Sequence, residues 1–160
     1  MHRPAIIIER IGPYHQARLR ALCEHAEALL ALEVVAKDET YDWQRVDHDN
    51  AYERVTLFKT EAEARNTEML RTKVWDSLDA FQPSHIAVPG WGDPSALTAL
   101  AWARRAGVPS IMMSDSQYHD LPRRGLSETV KRFIVSNASA GFVAGRTHRE
   151  YMARLGMSPD

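Results

Sequence analysis

The chain has 160 residues, 44% hydrophobic and 26% charged, the make-up of one globular domain rather than a disordered or membrane-spanning chain. Twenty Lys and Arg against 21 Asp and Glu leave a formal net charge of −1, which gives no reason to expect a nucleic-acid partner. The single cysteine, Cys23, excludes an internal disulfide, and no signal-peptide core or run of ~20 apolar residues is present, so the expectation is a cytoplasmic protein.

In chain order, Pro4 to Ile8 reads as a short β-branched strand stopped by Gly12 and Pro13. From His15, apolar residues recur at Leu19, Leu22, Ala26, Leu29 and Leu30, which is helical spacing. Leu32 to Ala36 predicts a second strand, followed by a polar loop from Lys37 to Asn50. Val55 to Phe58 predicts a third strand, and Glu61 to Phe81 one charged amphipathic helix broken by Pro83. His85 to Val88 is the fourth strand. Asp93 then caps a helix with Pro94 at its first position, and Gly107 closes it. Ile111 to Met113 form the fifth strand. Gly125 to Asn137 predicts a helix with Leu126, Val130, Phe133 and Ile134 on one face. Ala140 to Ala144 is a sixth strand. Thr147 and Glu150 read as the capping box of a last helix, ended by Gly156 and Pro159.

Strands alternating with helices predict an α/β fold: a Rossmann-like three-layer sandwich. Its six-stranded, mainly parallel sheet carries helices on both faces, and its crevice lies between the first and fourth strands. No repeat or second domain is legible within residues 1–160.

Chemistry is expected where strands end. The loop after the first strand runs through Gly12, Pro13, Tyr14 and His15 into a helix N-terminus, where free N–H groups favour a phosphate; the competing reading is a tight strand-to-helix turn. The chain has neither G-x-G-x-x-G nor a P-loop, so a dinucleotide or P-loop site is not supported. After the fourth strand, Gly90 and Gly92 flank Trp91, which offers a flat face to a sugar or packs over the sheet edge. After the fifth strand, Asp115, Ser116 and His119 stand together, where a carboxylate and an imidazole can orient or deprotonate a hydroxyl. The bland alternative makes them turn caps and a solvated histidine.

Arg123 and Arg124 stand near this cluster and would bind an anionic group on a substrate. Lys131 and Arg132 would lean weakly on an anionic membrane surface, against the commoner reading of a solvated helix face. Asp42, Asp47, His48 and Asp49 lie close together but show no metal-ligand spacing, and a solvated loop is the expectation.

The run PGWGDPSALTALAWARRAGVPSIMMSDSQYHD, the basic helix and AGFVAGRTHREYMARLGMSPD resemble the N-terminal half of bacterial glycosyltransferases of family 4, which have the GT-B fold. GPYHQARLRAL resembles that family's first loop and helix, whereas Lys37 to Glu61 matches poorly. The resemblance implies two Rossmann-like domains facing a cleft, the N-terminal one holding the acceptor and the other the nucleotide-sugar. It implies retaining transfer to a sugar or small-molecule acceptor, with no metal and no cofactor beyond the nucleotide-sugar co-substrate. Gly12 would approach the donor phosphates, and Asp115 would stand where acceptor and sugar meet, with His119 four residues on. Many relatives carry histidine at the position of Asp115, so aspartate departs from the pattern. The resemblance therefore makes the chain the acceptor half of an enzyme of glycan or polysaccharide biosynthesis, lacking its C-terminal domain and inactive alone. The alternatives are another GT-B enzyme, such as a nucleotide-sugar epimerase, or a non-enzymatic α/β ligand-binding module. Glu9 and Lys59 at the first and third strand ends do not suit a phosphoacceptor receiver.

Overall fold

Alternation of apolar side chains sets the sheet. The computed structural model describes residues 2–37, 46, 49–120 and 125–158. In β1 (Pro4–Ile8), Ala5 and Ile7 enter one buried cluster while Ile6 and Ile8 enter another, so this strand separates two packed faces. β2 (Leu30–Lys37) does the same, with Leu30 and Leu32 on the first face and Ala31 on the second. The remaining strands are β3 (Glu53–Thr60), β4 (His85–Pro89), β5 (Ser110–Ser114) and β6 (Ala140–Val143). They form one sheet in the order β3-β2-β1-β4-β5-β6, with every pair parallel. The Rossmann-like α/β architecture expected from the alternation is the one observed.

Among the described residues the helices are α1 (Pro13–Cys23), α2 (Glu61–Ala64), α3 (Thr67–Phe81), α4 (Pro94–Ala106), α5 (Gly125–Val135) and, after the last strand, α6 (Arg146–Arg154). α3 buries Leu70, Val74, Leu78 and Phe81, a stripe at helical spacing. α4 presents Ala96, Ala99 and Ala103, small enough for a close approach, together with Leu100 and Trp102. The Trp102 indole N–H donates to Asp79 Oδ1 at 2.7 Å, so the largest buried ring also satisfies its polar atom. On the opposite face, α1 packs Leu19 and Leu22 against Ile6, Ile8 and Ala31.

Three helix ends differ from the sequence expectation, each for a local reason. The first helix stops at Cys23, not Leu30, because Glu27 N–H donates to the His2 carbonyl and Leu30 already belongs to β2. The charged helix is two, since Asn66 caps a fresh N-terminus by accepting from Met69 N–H at 3.0 Å. The last helix begins at Arg146 behind Gly145, so Thr147 lies inside it and no capping box forms; Glu150 pairs with Arg146 at 2.9 Å instead. In α5, Leu126, Val130 and Phe133 are exposed, whereas Ile134, expected on the same face, packs inward with Val135. The Asp93 cap, Pro94 at the first turn and Gly107 as left-handed C-cap are all present on α4.

Candidate active site

Strand order reverses between β1 and β4, and a cleft of about 710 Å³ opens beside that point, at the carboxyl ends of β4, β5 and β6. It is displaced from the expected β1/β4 crevice toward β6, and no residue of β1 lines it. α1 contributes Tyr14 and Arg18, the loop after β4 Gly90, Trp91 and Asp93, the end of β5 Ser114 to Ser116, and β6 Phe142.

Each wall has a local cause. Pro89 and Gly90 turn the chain off β4, with Gly90 N–H donating to the Val88 carbonyl at 3.0 Å and Gly90 at a φ of +70°. Trp91 is half-buried and packs edge-on to Tyr151, ring centroids 5.8 Å apart, so it belongs both to the packed shell and to the cleft wall. The Asp93 carboxylate is occupied as the cap of α4, accepting from Ser95 N–H and Ser95 O–H at 2.7 Å each. Ser114 Oγ accepts from Ser116 N–H at 3.2 Å and folds the chain back as β5 ends. That turn leaves Asp115 exposed and Ser116 half-buried on the cleft wall.

Opposite them stands a cation. Arg18 Nη1 donates to the Tyr14 hydroxyl at 3.3 Å. Its guanidinium lies 5.3 Å from the Tyr14 ring centroid and 5.9 Å from that of Phe142. The cleft therefore holds a carboxylate, a hydroxyl, an indole and a guanidinium, a set able to orient a polyhydroxyl ligand and an anionic group together.

Of the residues singled out from sequence, Tyr14, Gly90, Trp91, Asp115 and Ser116 come together here. Gly12 is buried at the base of α1 and Pro13 is exposed beside it; neither lines the cleft. His15 turns the other way, into a second hollow of about 870 Å³ along the sheet face. There its Nδ1 accepts from Gly12 N–H at 3.3 Å, closing the helix N-terminus from within. Burial of the ring, with the nearby Arg18 cation second, pulls the His15 pKa below 6.5. His119 is exposed, packs edge-on to Tyr118 and does not line the cleft, so it does not join Asp115 as the sequence suggested. Arg123 and Arg124 lie outside the described residues, as do Asp42, Asp47 and His48. Asp49 is not a solvated loop residue: it is buried, ion-paired with Arg20, and accepts from Ala51 N–H at 3.0 Å.

Sequence reasoning missed Arg18, Phe142 and Tyr151. Arg18 stands one helical turn after Tyr14, a spacing that already puts both on one side of α1. Phe142 and Tyr151 carry no polar motif, and only the fold brings them to this end of the sheet.

Residues 15–160 match the family model described as a glycosyl transferase 4-like domain. No match was found among curated proteins. Among solved structures, the chain is similar to the UDP-GlcNAc 2-epimerase of Methanocaldococcus jannaschii, at 14% identity and a TM-score of 0.60, over 99% of this chain and 44% of that one. The UDP-GlcNAc 2-epimerase of Neisseria meningitidis, bound to UDP-GlcNAc, gives 10% identity and a TM-score of 0.61 over 99% and 44%. The S. aureus MnaA–UDP structure gives 15% and 0.58 over 98% and 41%. At such identities the likeness is one of fold. The chain spans less than half the length of these structures.

Proposed function

Since the chain belongs to the glycosyl transferase 4-like domain family, we propose that it forms the acceptor-binding half of a retaining glycosyltransferase. That enzyme moves a sugar from a nucleotide-sugar to an acceptor hydroxyl in glycan or polysaccharide biosynthesis. The observation that carries this reading is the cleft at the ends of β4 to β6, lined by the exposed Asp115 carboxylate and by the Arg18 guanidinium. Asp115 orients the acceptor hydroxyl and draws on its proton as the new bond forms. Ser116 supplies a second hydrogen bond, and Gly90 and Trp91 give the acceptor ring a flat wall. Arg18, steadied by Tyr14, stands beside the anionic diphosphate of the donor. Gly12, Pro13 and His15 serve this end of the site by fixing the β1–α1 turn.

In this reading a second Rossmann-like domain supplies the nucleotide site and closes over the cleft. Holding donor and acceptor in line is worth ~7–11 kcal/mol, and closure also excludes water. Residues 1–160 alone, with one wall of the cleft, are expected to show no measurable turnover. The chemistry needs no resident metal or cofactor.

A second reading, a nucleotide-sugar epimerase, is favoured by the fold shared with the UDP-GlcNAc 2-epimerases. The two separate on Asp115→Ala in the full-length enzyme. If Asp115 serves the acceptor, transfer falls far more than nucleotide binding does. Near-normal transfer by that variant would sink the assignment.

A further inference from the structure

Helix α5 is amphipathic with its apolar stripe on the outside. Leu126 is 81% exposed, Phe133 70% and Val130 51%, at the i, i+4, i+7 spacing of a single face. The inward side is held by polar contacts. Lys131 Nζ donates to Glu128 Oε1 at 2.9 Å and to the Tyr151 hydroxyl at 3.2 Å, while that hydroxyl donates to the Glu128 carboxylate at 3.1 Å. These contacts dock α5 on α6 through Glu128 and Lys131, with Val135 fully buried beside them. The helix therefore keeps its carboxylate and its ammonium against the protein and turns its leucine, valine and phenylalanine to solvent. The exposed residues of α5 are Gly125, Leu126, Ser127, Thr129, Val130, Arg132 and Phe133: three large apolar side chains, one cation and no carboxylate.

Charge is uneven along the sequence. Residues 121–160 carry seven Arg and Lys against three Asp and Glu, a surplus of four positive charges. Residues 1–120 carry thirteen against eighteen, a deficit of five, so the near-zero net charge hides a basic C-terminal quarter.

We propose that the outer face of α5 docks on an anionic membrane surface, with Leu126, Val130 and Phe133 entering the headgroup–acyl boundary and Arg132 meeting lipid phosphates. An exposed apolar stripe beside basic charge, without acidic residues, is what an anionic interface attracts through both of its properties. A second copy of the chain fits the face less well, because a two-fold contact brings two such faces together, each with Arg132 and neither with a carboxylate to pair it. This docking differs from the contact expected through Lys131 and Arg132, since Lys131 faces inward and the apolar residues carry the contact. It would hold the cleft beside a membrane-borne acceptor, yet it reads neither donor nor acceptor, so it stands or falls apart from the function proposed above.

Co-sedimentation with lipid vesicles tests it. The chain is expected to pellet with vesicles of mixed phosphatidylglycerol and phosphatidylcholine, to stay in solution with phosphatidylcholine alone, and to be released by high salt. The double variant Leu126→Ser, Phe133→Ser is expected to partition about tenfold more weakly or worse, and Arg132→Glu to lose the preference for anionic lipid. All three side chains being exposed, thermal unfolding of the variants should match the parent, which separates lost docking from lost folding. Three results overturn the proposal: a folded parent chain that stays in solution with the mixed vesicles, a double variant that pellets like the parent, or a concentration-dependent dimer that the double variant abolishes.

Discussion

Arg54 and Glu33 form a bidentate ion pair inside the molecule. Arg54 Nη2 donates to Glu33 Oε1 at 2.7 Å and Arg54 Nε to Oε2 at 3.2 Å, with the two side chains 4% and 0% exposed. The same carboxylate accepts from Ile11 N–H at 2.9 Å and from the Thr56 hydroxyl at 2.7 Å. Arg54 spends a third donor on the Val46 carbonyl at 3.0 Å. Glu33 thus ties β2 and β3 to the residue just before Gly12, and the entry to α1 is fixed from beneath.

Removing one partner of a buried pair leaves the other charged and unmatched. Glu33→Ala is therefore expected to lower stability by about 3–5 kcal/mol, in the range for broken buried ion pairs. Glu33→Gln keeps an acceptor for Ile11 N–H and should cost less. Urea unfolding of the two variants checks the order; a loss for Glu33→Ala within about 0.5 kcal/mol, the range of an ordinary surface substitution, would contradict it.

His15 gives the fold an acid-sensitive joint. Its pKa is lowered by burial and then by Arg18, so the folded state favours the neutral ring that accepts Gly12 N–H. The unfolded chain takes up the proton first as pH falls below 6.5. The contribution of His15 is thus fully present above 6.5 and is lost as pH falls from there toward its folded pKa. His85 is shifted the same way, by burial and then by His2, so the parent alone does not isolate the effect. His15→Gln keeps an acceptor at the cap and removes the titration. Its melting temperature should change less than the parent's between neutral and mildly acidic pH, and identical pH profiles would count against the joint.

Gly90 and Gly92 bracket Trp91 but differ in backbone. Gly90 has a φ of +70°, and a Cβ there would meet nothing closer than the Met113 carbonyl at 3.8 Å. Its replacement by alanine is limited by conformation rather than by space and should cost ~1–2 kcal/mol. A Cβ on Gly92 meets nothing within 4 Å and its φ is not in the left-handed region, so Gly92→Ala should be close to neutral. Thermal unfolding of the pair compares them directly, and equal losses would contradict the assignment of strain to Gly90.

Among the described residues Arg18 is the cation that lines the cleft, and it is exposed on its helix. In the full-length enzyme, Arg18→Ala is expected to weaken binding of the donor's diphosphate while leaving acceptor binding in place, the reverse of Asp115→Ala. Calorimetric titration with a nucleoside diphosphate separates the two, and unchanged affinity in Arg18→Ala would remove it from the site.

Much of the fold was legible because its signals are local. Pro4 to Ile8 alternates, Asp93 and Pro94 announce a helix, and Gly107 closes it. Where signals were shared between periods, the reading slipped: Leu29 and Leu30 fit a helical stripe, but their burial belongs to the sheet. Glu33, in the middle of an apolar strand, gave no sign that Arg54, twenty-one positions on, would pair with it. α5 shows what a stripe leaves open. Leu126, Val130 and Phe133 share a face but Ile134 turns inward; periodicity says only that a helix has an apolar side, and the Glu128–Lys131–Tyr151 contacts decide which side faces in. In the cleft, Asp115, Ser116, Trp91 and Tyr14 were found because strand ends and glycine turns point to ligand sites. Sequence distance misplaced His119, since the turn after β5 sends it out against Tyr118. Arg18 went unread although its spacing from Tyr14 puts the two on one side of α1.

The most direct test is product analysis on the full-length protein given a nucleotide-sugar, with and without a panel of sugar and small-molecule acceptors. The account predicts a glycosylated acceptor and free nucleoside diphosphate only when acceptor is present, with loss of the product in Asp115→Ala. Formation of an epimeric nucleotide-sugar in the absence of any acceptor would contradict it.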